Sequence, residues 1–161
     1  MIPYERILLP LDGSALAEAV EPYVIPIAKK FGSELILLQV VTPFEGIASS
    51  IASGGVDAAI SGDIGLDAAR KQVKAEKETA VEYLSSVSKR LAADRIVTRT
   101  EVVEGAPAES ILKFAKEADV SMIGMSTHGR RGLGRAVFGS VADRVLRNSD
   151  LPVLIVRPQR D

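Results

Sequence analysis

Five short apolar runs alternate with segments of helical periodicity along this chain, and this alternation constrains its fold more than any other feature. The runs occupy residues 7–11, 34–41, 96–103, 120–125 and 151–156. Runs that are apolar at almost every position are typical of strands buried on both faces. Such strands, separated by amphipathic helices, predict an α/β fold in which helices cover both faces of a parallel sheet.

The order of the strands is limited by the rule that crossovers between parallel strands are right-handed. We expect a single doubly wound, five-stranded sheet of order 3-2-1-4-5. The third strand, in which Arg99 and Glu101 alternate with Val and Thr, should lie at an edge. Ligands bind outside the carboxyl ends of the strands where the strand order reverses. The loops of residues 10–14 and 126–140 meet at that point.

The first helix is predicted over residues 15–31, because apolar residues recur there at helical spacing. Ser14 is suited to cap its start and Gly32 to end it. Pro22 and Pro26 should kink this helix. Further helices are predicted over residues 66–93, from Pro107 onward and over residues 140–147.

Composition excludes several classes of protein. The length of 161 residues is typical of one domain, and the absence of cysteine excludes a disulfide scaffold, a thiolate zinc site and a redox thiol. A formal net charge of −1 lacks the basic excess that nucleic-acid binding usually requires. Glu5, Arg6 and Asp12 flank the first apolar run, so it predicts neither a signal peptide nor a membrane span. We therefore expect a cytoplasmic protein with no nucleic-acid or membrane partner.

The composition changes abruptly over residues 42–65, which are rich in Gly, Ser, Ala and Ile and nearly free of charge. We expect this low-complexity excursion to be mobile or only partly ordered. Alternatively, it docks on a partner subunit, because five apolar residues recur near helical spacing. These residues are Ile47, Ile51, Val56, Ile60 and Ile64. Residues 53–57 match the start of a pyrophosphatase-type loop, a match that chance explains because Ala58 follows and no strand directly precedes it.

The loop of residues 126–140 contains four glycines and three arginines at the head of a predicted helix. Small residues let the backbone approach a ligand closely, and amides at a helix N-terminus suit phosphate. Arg130, Arg131 and Arg135 could add charge-assisted contacts. A solvated turn that uses glycine for its shape is the alternative that composition leaves open.

Two familiar phosphate motifs are absent from this loop. Residues 134–140 have the spacing of a P-loop, but Ser140 stands where the lysine belongs. Gly132 and Gly134 begin a dinucleotide fingerprint, but Val137 replaces its third glycine. Neither a P-loop NTPase nor an NAD-dependent dehydrogenase is supported.

The chain resembles the universal stress protein family over essentially its whole length, from residues 7–14 to residues 152–157. The family's ATP-binding pattern is Gly, two residues, Gly, nine residues, Gly and then Ser or Thr. Gly129, Gly139 and Ser140 match its second half. Ser126 stands in place of the first glycine.

This resemblance implies a site for ATP, alone or with magnesium. Asp12 would bind the ribose hydroxyls, Val40 would pack on the adenine, and backbone around Gly139 would hold the phosphates with the Ser140 hydroxyl and the Val141 amide. The ATP-binding residues expected from it are Pro10, Leu11, Asp12, Val40, Met125, Ser126, His128, Gly129, Arg130, Gly139, Ser140 and Val141.

The function that this resemblance implies is that of an ATP-binding regulatory module of the stress response, not of an enzyme. A slow ATP hydrolase and an interaction protein that binds no nucleotide are the alternatives. His128 is the only histidine, and no partner that would orient it is visible, so we predict no catalytic residue and no metal site.

A homodimer is expected through the fifth strand. Val153, Leu154, Ile155 and Val156 are apolar at successive positions, although the predicted order places them at a sheet edge. An uncovered apolar edge favours pairing with another chain, and the family resemblance implies pairing through this strand.

Overall fold

The computed structural model describes residues 4–41, 43, 63–127 and 139–158. Its sheet confirms the predicted order β3-β2-β1-β4-β5, and every neighbouring pair of strands is parallel. The strands are β1 (Arg6–Pro10), β2 (Glu34–Val41), β3 (Thr98–Glu104), β4 (Met122–Ser126) and β5 (Val153–Val156). The helices of the described residues are α1 (Ala15–Glu18), α2 (Glu21–Phe31), α3 (Asp63–Ala93), α4 (Pro107–Glu117) and α5 (Ser140–Asn148).

The first predicted helix is broken into α1 and α2 just before Pro22, whereas Pro26 lies inside α2. Its ends are as predicted: the Ser14 hydroxyl accepts from the Ala17 amide, and Gly32 ends α2 in the left-handed conformation with φ 68°. The break follows Glu18, whose carbonyl would need a donor at Pro22, and proline has none. Pro22 instead lies in the first turn of α2, where a missing amide is tolerated.

The helix α3 begins at Asp63, whereas its predicted start is residue 66. The last three residues of the predicted excursion are therefore helical, which corrects that boundary. Apart from Pro43, the rest of the excursion lies outside the described residues. The mobility predicted for the excursion and the loop match at residues 53–57 also concern residues outside the described ones.

Two hydrophobic cores cover the two faces of the sheet. Alternate residues of β1 enter different cores: Ile7 and Leu9 pack on the face that α2 and α3 cover, and Leu8 packs on the face that α4 and α5 cover. All three are completely buried. This is the burial that a parallel strand in the middle of an α/β sheet requires.

Close approach between β4 and α2 depends on Gly124. A Cβ atom at this position would lie 2.9 Å from the Val24 Cγ2 atom and 3.0 Å from the Leu9 Cδ2 atom. Both neighbours are completely buried, so neither can move without disturbing other core side chains. Glycine at 124 therefore lets α2 pack directly on the sheet beside β1.

We expect Gly124→Ala to lower the free energy of unfolding by about 1–3 kcal/mol, because it overpacks this contact. Urea unfolding followed by circular dichroism measures the loss. The loss should be smaller in a Val24→Ala background, which removes the nearest methyl group. An equal loss in both backgrounds contradicts this account of Gly124.

Candidate functional site

A cleft of about 300 Å³ opens at the carboxyl ends of β1 and β4, where the strand order reverses. The structure brings nine of the residues predicted for the site into its lining: Pro10, Leu11, Asp12, Val40, Met125, Ser126, Gly139, Ser140 and Val141. The other three, His128, Gly129 and Arg130, lie outside the described residues.

Several lining residues were not among the site residues predicted from the sequence. Leu16 and Ala17 of α1 form part of one wall, and Pro107 and Ile111 of α4 form part of another. Nothing in their local sequence distinguishes them from ordinary helix residues. Thr127 is also in the lining, and its place within the glycine-rich loop could have indicated it.

Asp12 is held in position by the turn that leads into α1. Its Oδ1 atom accepts from the Ser14 amide at 2.9 Å and from the Ser14 hydroxyl at 2.6 Å. The Ser14 hydroxyl oxygen in turn accepts from the Ala17 amide at 3.1 Å. No group of the described chain donates to Oδ2, so this exposed carboxylate has an oriented oxygen available for a ligand.

Val40 presents backbone groups to the cleft because β1 ends before β2 does. Just after β1, the Leu11 amide donates the last backbone hydrogen bond to β2, to the Leu38 carbonyl at 2.8 Å. Backbone orientation repeats every two residues, so the N–H and C=O of Val40 point to the same side as those of Leu38. The Val41 carbonyl points the opposite way and accepts from the Gly105 amide. Val40 therefore offers one donor and one acceptor to the cleft.

The end of β4 contributes two hydroxyl groups. The Ser126 Oγ atom is buried and has no hydrogen-bond partner in the described part of the chain. A buried hydroxyl without a partner is costly. The Thr127 side chain is also buried, and its Oγ1 atom accepts from the Gly139 amide at 2.7 Å.

The N-terminus of α5 faces the same cleft. Gly139 is its N-cap residue and has no side chain that could cap the helix. The Asp143 amide makes the first bond of this helix, to the Gly139 carbonyl at 2.9 Å. The three preceding amides, of Ser140, Val141 and Ala142, have no acceptor within the helix, and all three residues line the cleft. These amides and the helix dipole favour an anion at this end.

The wall that α1 forms is tied to α3 by charged hydrogen bonds. Arg90 donates to Glu18 at 2.8 Å and to Glu21 at 2.6 Å, on either side of the break between α1 and α2. The Tyr83 hydroxyl donates to the second oxygen of Glu18 at 2.8 Å. Burial and this bond raise the pKa of Tyr83 above its usual range, so the hydroxyl remains a donor even in alkaline solution. The network holds α1, and with it Leu16 and Ala17, against the cleft.

The described residues contain no group of three or more His, Asp or Glu side chains that could hold a metal ion. No helix among them has the length and apolar character that crossing a membrane requires.

Comparison with known proteins identifies a family. The family model of the universal stress protein family matches residues 3–157. Universal stress protein MJ0531 of Methanocaldococcus jannaschii is 33% identical over 156 residues, which cover 96% of this chain and 82% of that protein. Universal stress protein MJ0577 of the same organism is 29% identical over 161 residues, covering 97% and 96% of the two chains.

Solved structures agree with the fold. The structure of MJ0577 superposes with a TM-score of 0.77 at 26% identity, covering 99% of this chain and all of that one. A universal stress protein from Archaeoglobus fulgidus, solved in complex with dAMP, has a TM-score of 0.56 at 22% identity and covers 96% and 98% of the two chains.

Proposed function

This chain belongs to the universal stress protein family, and on that premise we propose that it is a regulatory module of the stress response that binds ATP, alone or with magnesium, in the cleft between β1 and β4. One observation carries the proposal: the free carboxylate oxygen of Asp12 and the unpaired amides at the start of α5 line a single cleft. A carboxylate accepts hydrogen bonds from ribose hydroxyls, and helix amides bind phosphate. The cleft thus has complementary groups for the sugar and the phosphates.

The base would lie on the apolar part of the cleft, beside Val40. Leu38, Ile111 and Met125 provide apolar surface there. The Val40 N–H and C=O match the N1 acceptor and the 6-amino donor of adenine. Guanine presents an N1–H donor and an O6 acceptor in the corresponding positions. A guanine base bound in the same position would therefore face donor with donor and acceptor with acceptor. Adenine is therefore preferred over guanine.

Ser126 lines the cleft at the end of β4, and its buried Oγ atom has no partner in the described part of the chain. The dAMP that the Archaeoglobus fulgidus protein holds is also an adenine nucleotide. Likeness to that protein at 22% identity shows the fold alone, so the proposal depends on the groups that this chain itself places in the cleft.

ATP should raise the melting temperature of protein that has first been stripped of nucleotide. At a hundredfold excess over Kd, a ligand that binds only the native state adds about 2.7 kcal/mol, which corresponds to roughly 5–10 °C at this size. GTP should give a smaller shift. Asp12→Ala and Gly139→Val should abolish the ATP shift, by removing the ribose acceptor and by filling the space beside the helix start.

The matched control is Asp94→Ala, which removes a carboxylate that pairs with Lys29 at 2.8 Å on the surface. This variant should keep the full ATP shift. An unchanged melting curve of the unmodified protein in millimolar ATP and magnesium contradicts the proposal.

We propose that the bound ATP is not turned over rapidly. Asp12 is the only ionisable side chain among the described residues of the cleft lining, and Ser14 occupies one of its oxygens. A hydrolase needs a group that activates or positions water beside the γ-phosphate. Asp12 lies in the turn after β1 and would bind the ribose, whereas the amides suited to phosphate lie at the start of α5. Asp12 is therefore assigned to the sugar and not to the activation of water.

The rate of phosphate release should fall far below the ~1 to 10³ per second common among enzymes. A coupled phosphate assay on purified protein measures it. Turnover near one per second that is lost in His128→Ala would favour the slow hydrolase instead.

We also propose that two copies pair through β5. This strand is an edge of the sheet, and Val153, Leu154 and Ile155 remain only partly buried. Leu146, on the preceding helix α5, is 40% exposed. A second copy about a two-fold axis would satisfy the edge and cover these apolar side chains.

Leu154→Lys should weaken this association, because it places a charge in the interface. Light scattering should give twice the chain mass of 17.1 kDa for the unmodified protein and a lower value for the variant. Circular dichroism confirms folding, since Leu154 also packs on a core. Val81→Lys, at a residue that is 56% exposed on α3, is the control and should remain dimeric. A monomeric unmodified protein at micromolar concentration would refute the pairing.

A further inference from the structure

We propose that Thr127 is a positioning residue for the nucleotide phosphates: its buried hydroxyl fixes the start of α5 and thereby aims the first amides of that helix into the cleft. This assignment rests on the proposed binding of ATP and adds a residue to it.

Thr127 is itself held rigidly at the end of the sheet. Its amide donates to the Val156 carbonyl at 2.9 Å, which extends the pairing of β4 with β5 by one residue. The residue is 2% exposed. Its position relative to the sheet is therefore set by both a backbone bond and burial.

The Thr127 side chain joins the two ends of the glycine-rich loop. Its Oγ1 atom accepts from the Gly139 amide at 2.7 Å, across a separation of twelve positions in the chain. The hydrogen bond thus connects a residue near the start of the loop to Gly139, the N-cap residue of α5. It anchors the start of the helix to the sheet directly, whatever path the intervening residues take.

This anchor fixes the start of α5, a helix that has no side-chain cap of its own. Most helices begin with a side chain that accepts from one of their first amides, but Gly139 has none. The Thr127 hydroxyl instead takes the amide of Gly139, which precedes the helix. The amides of Ser140 and Val141 are left without an acceptor, so they stay available to phosphate oxygens.

Small displacements of these amides would weaken phosphate binding, because a hydrogen bond loses strength steeply as its length and angle depart from the optimum. The polar groups that would hold the ribose and base belong to the turn at Asp12 and to β2. The Thr127 hydroxyl makes its hydrogen bond to Gly139 and not to either of these elements. Loss of the anchor should therefore weaken the binding of phosphates and spare the binding of the nucleoside.

Thr127→Val tests the assignment, because valine keeps the shape of threonine and removes the acceptor. Titration calorimetry on the full chain, stripped of nucleotide, measures the Kd of ATP and of adenosine where circular dichroism shows the protein folded. The Kd of ATP should rise roughly tenfold to a hundredfold, the consequence of losing one buried hydrogen bond, and that of adenosine should change by less than about twofold. Thr127→Ser should restore ATP binding.

Thr98→Val is the matched control. It removes the hydroxyl of a threonine on β3 that bonds to Ser88 at 2.6 Å, and it should leave the Kd of ATP unchanged.

Thr127→Ala, which also lacks the hydroxyl, replaces Thr127→Val if valine prevents folding. Either of the two is the deletion variant, because each deletes the Thr127 hydroxyl. Amide exchange at Gly139, measured without nucleotide, should be faster in either deletion variant than in the unmodified protein.

The outcomes separate the two proposals. If the unmodified protein binds neither ATP nor adenosine, the proposed function fails and this assignment fails with it. If it binds both, and the deletion variant binds ATP as well as before or loses ATP and adenosine equally, the assignment alone is overturned. A selective loss of ATP affinity together with faster exchange at Gly139 supports it.

Discussion

The unequal pairing of β1 with its two neighbours is the constraint on which the rest of the structure depends. β1 pairs with β2 over five residues and with β4 over two, and both pairings end before the neighbouring strands do. The connections from β1 and β4 leave toward opposite faces of the sheet, so no helix covers the carboxyl ends between them. The cleft is the space that results.

Backbone groups provide most of the polar chemistry of this cleft. Val40 offers a peptide donor and acceptor, and the start of α5 offers amides, whereas Asp12 is the one charged side chain in the described lining. A site of this kind depends on how accurately the backbone is held. The side chains that hold it are therefore as important as those that touch a ligand: Ser14 orients Asp12, Arg90 holds α1, and Thr127 anchors α5.

Local patterns predicted some features well and others poorly. The cap at Ser14, the end at Gly32 and the five strands were predicted because each depends on a few neighbouring residues. Pro22 was expected to kink a helix, but it lies in the first turn of α2. Proline is more easily accommodated in a first turn than in the middle of a helix. The cleft residues on α1 and α4 went unpredicted, since only packing across the sheet brings those helices together.

The sequence by itself determined the fold class, the strand order and the loops that meet at the reversal of that order, because apolar periodicity and the handedness of crossovers leave few alternatives. It also determined which residue types could bind a nucleotide there. Only the tertiary structure decided how those residues are held. The bond between Thr127 and Gly139, the orphaned hydroxyl of Ser126 and the position of the Val40 backbone each depend on where one strand ends relative to another. Such offsets arise from contacts between distant segments, which no local pattern of residues encodes.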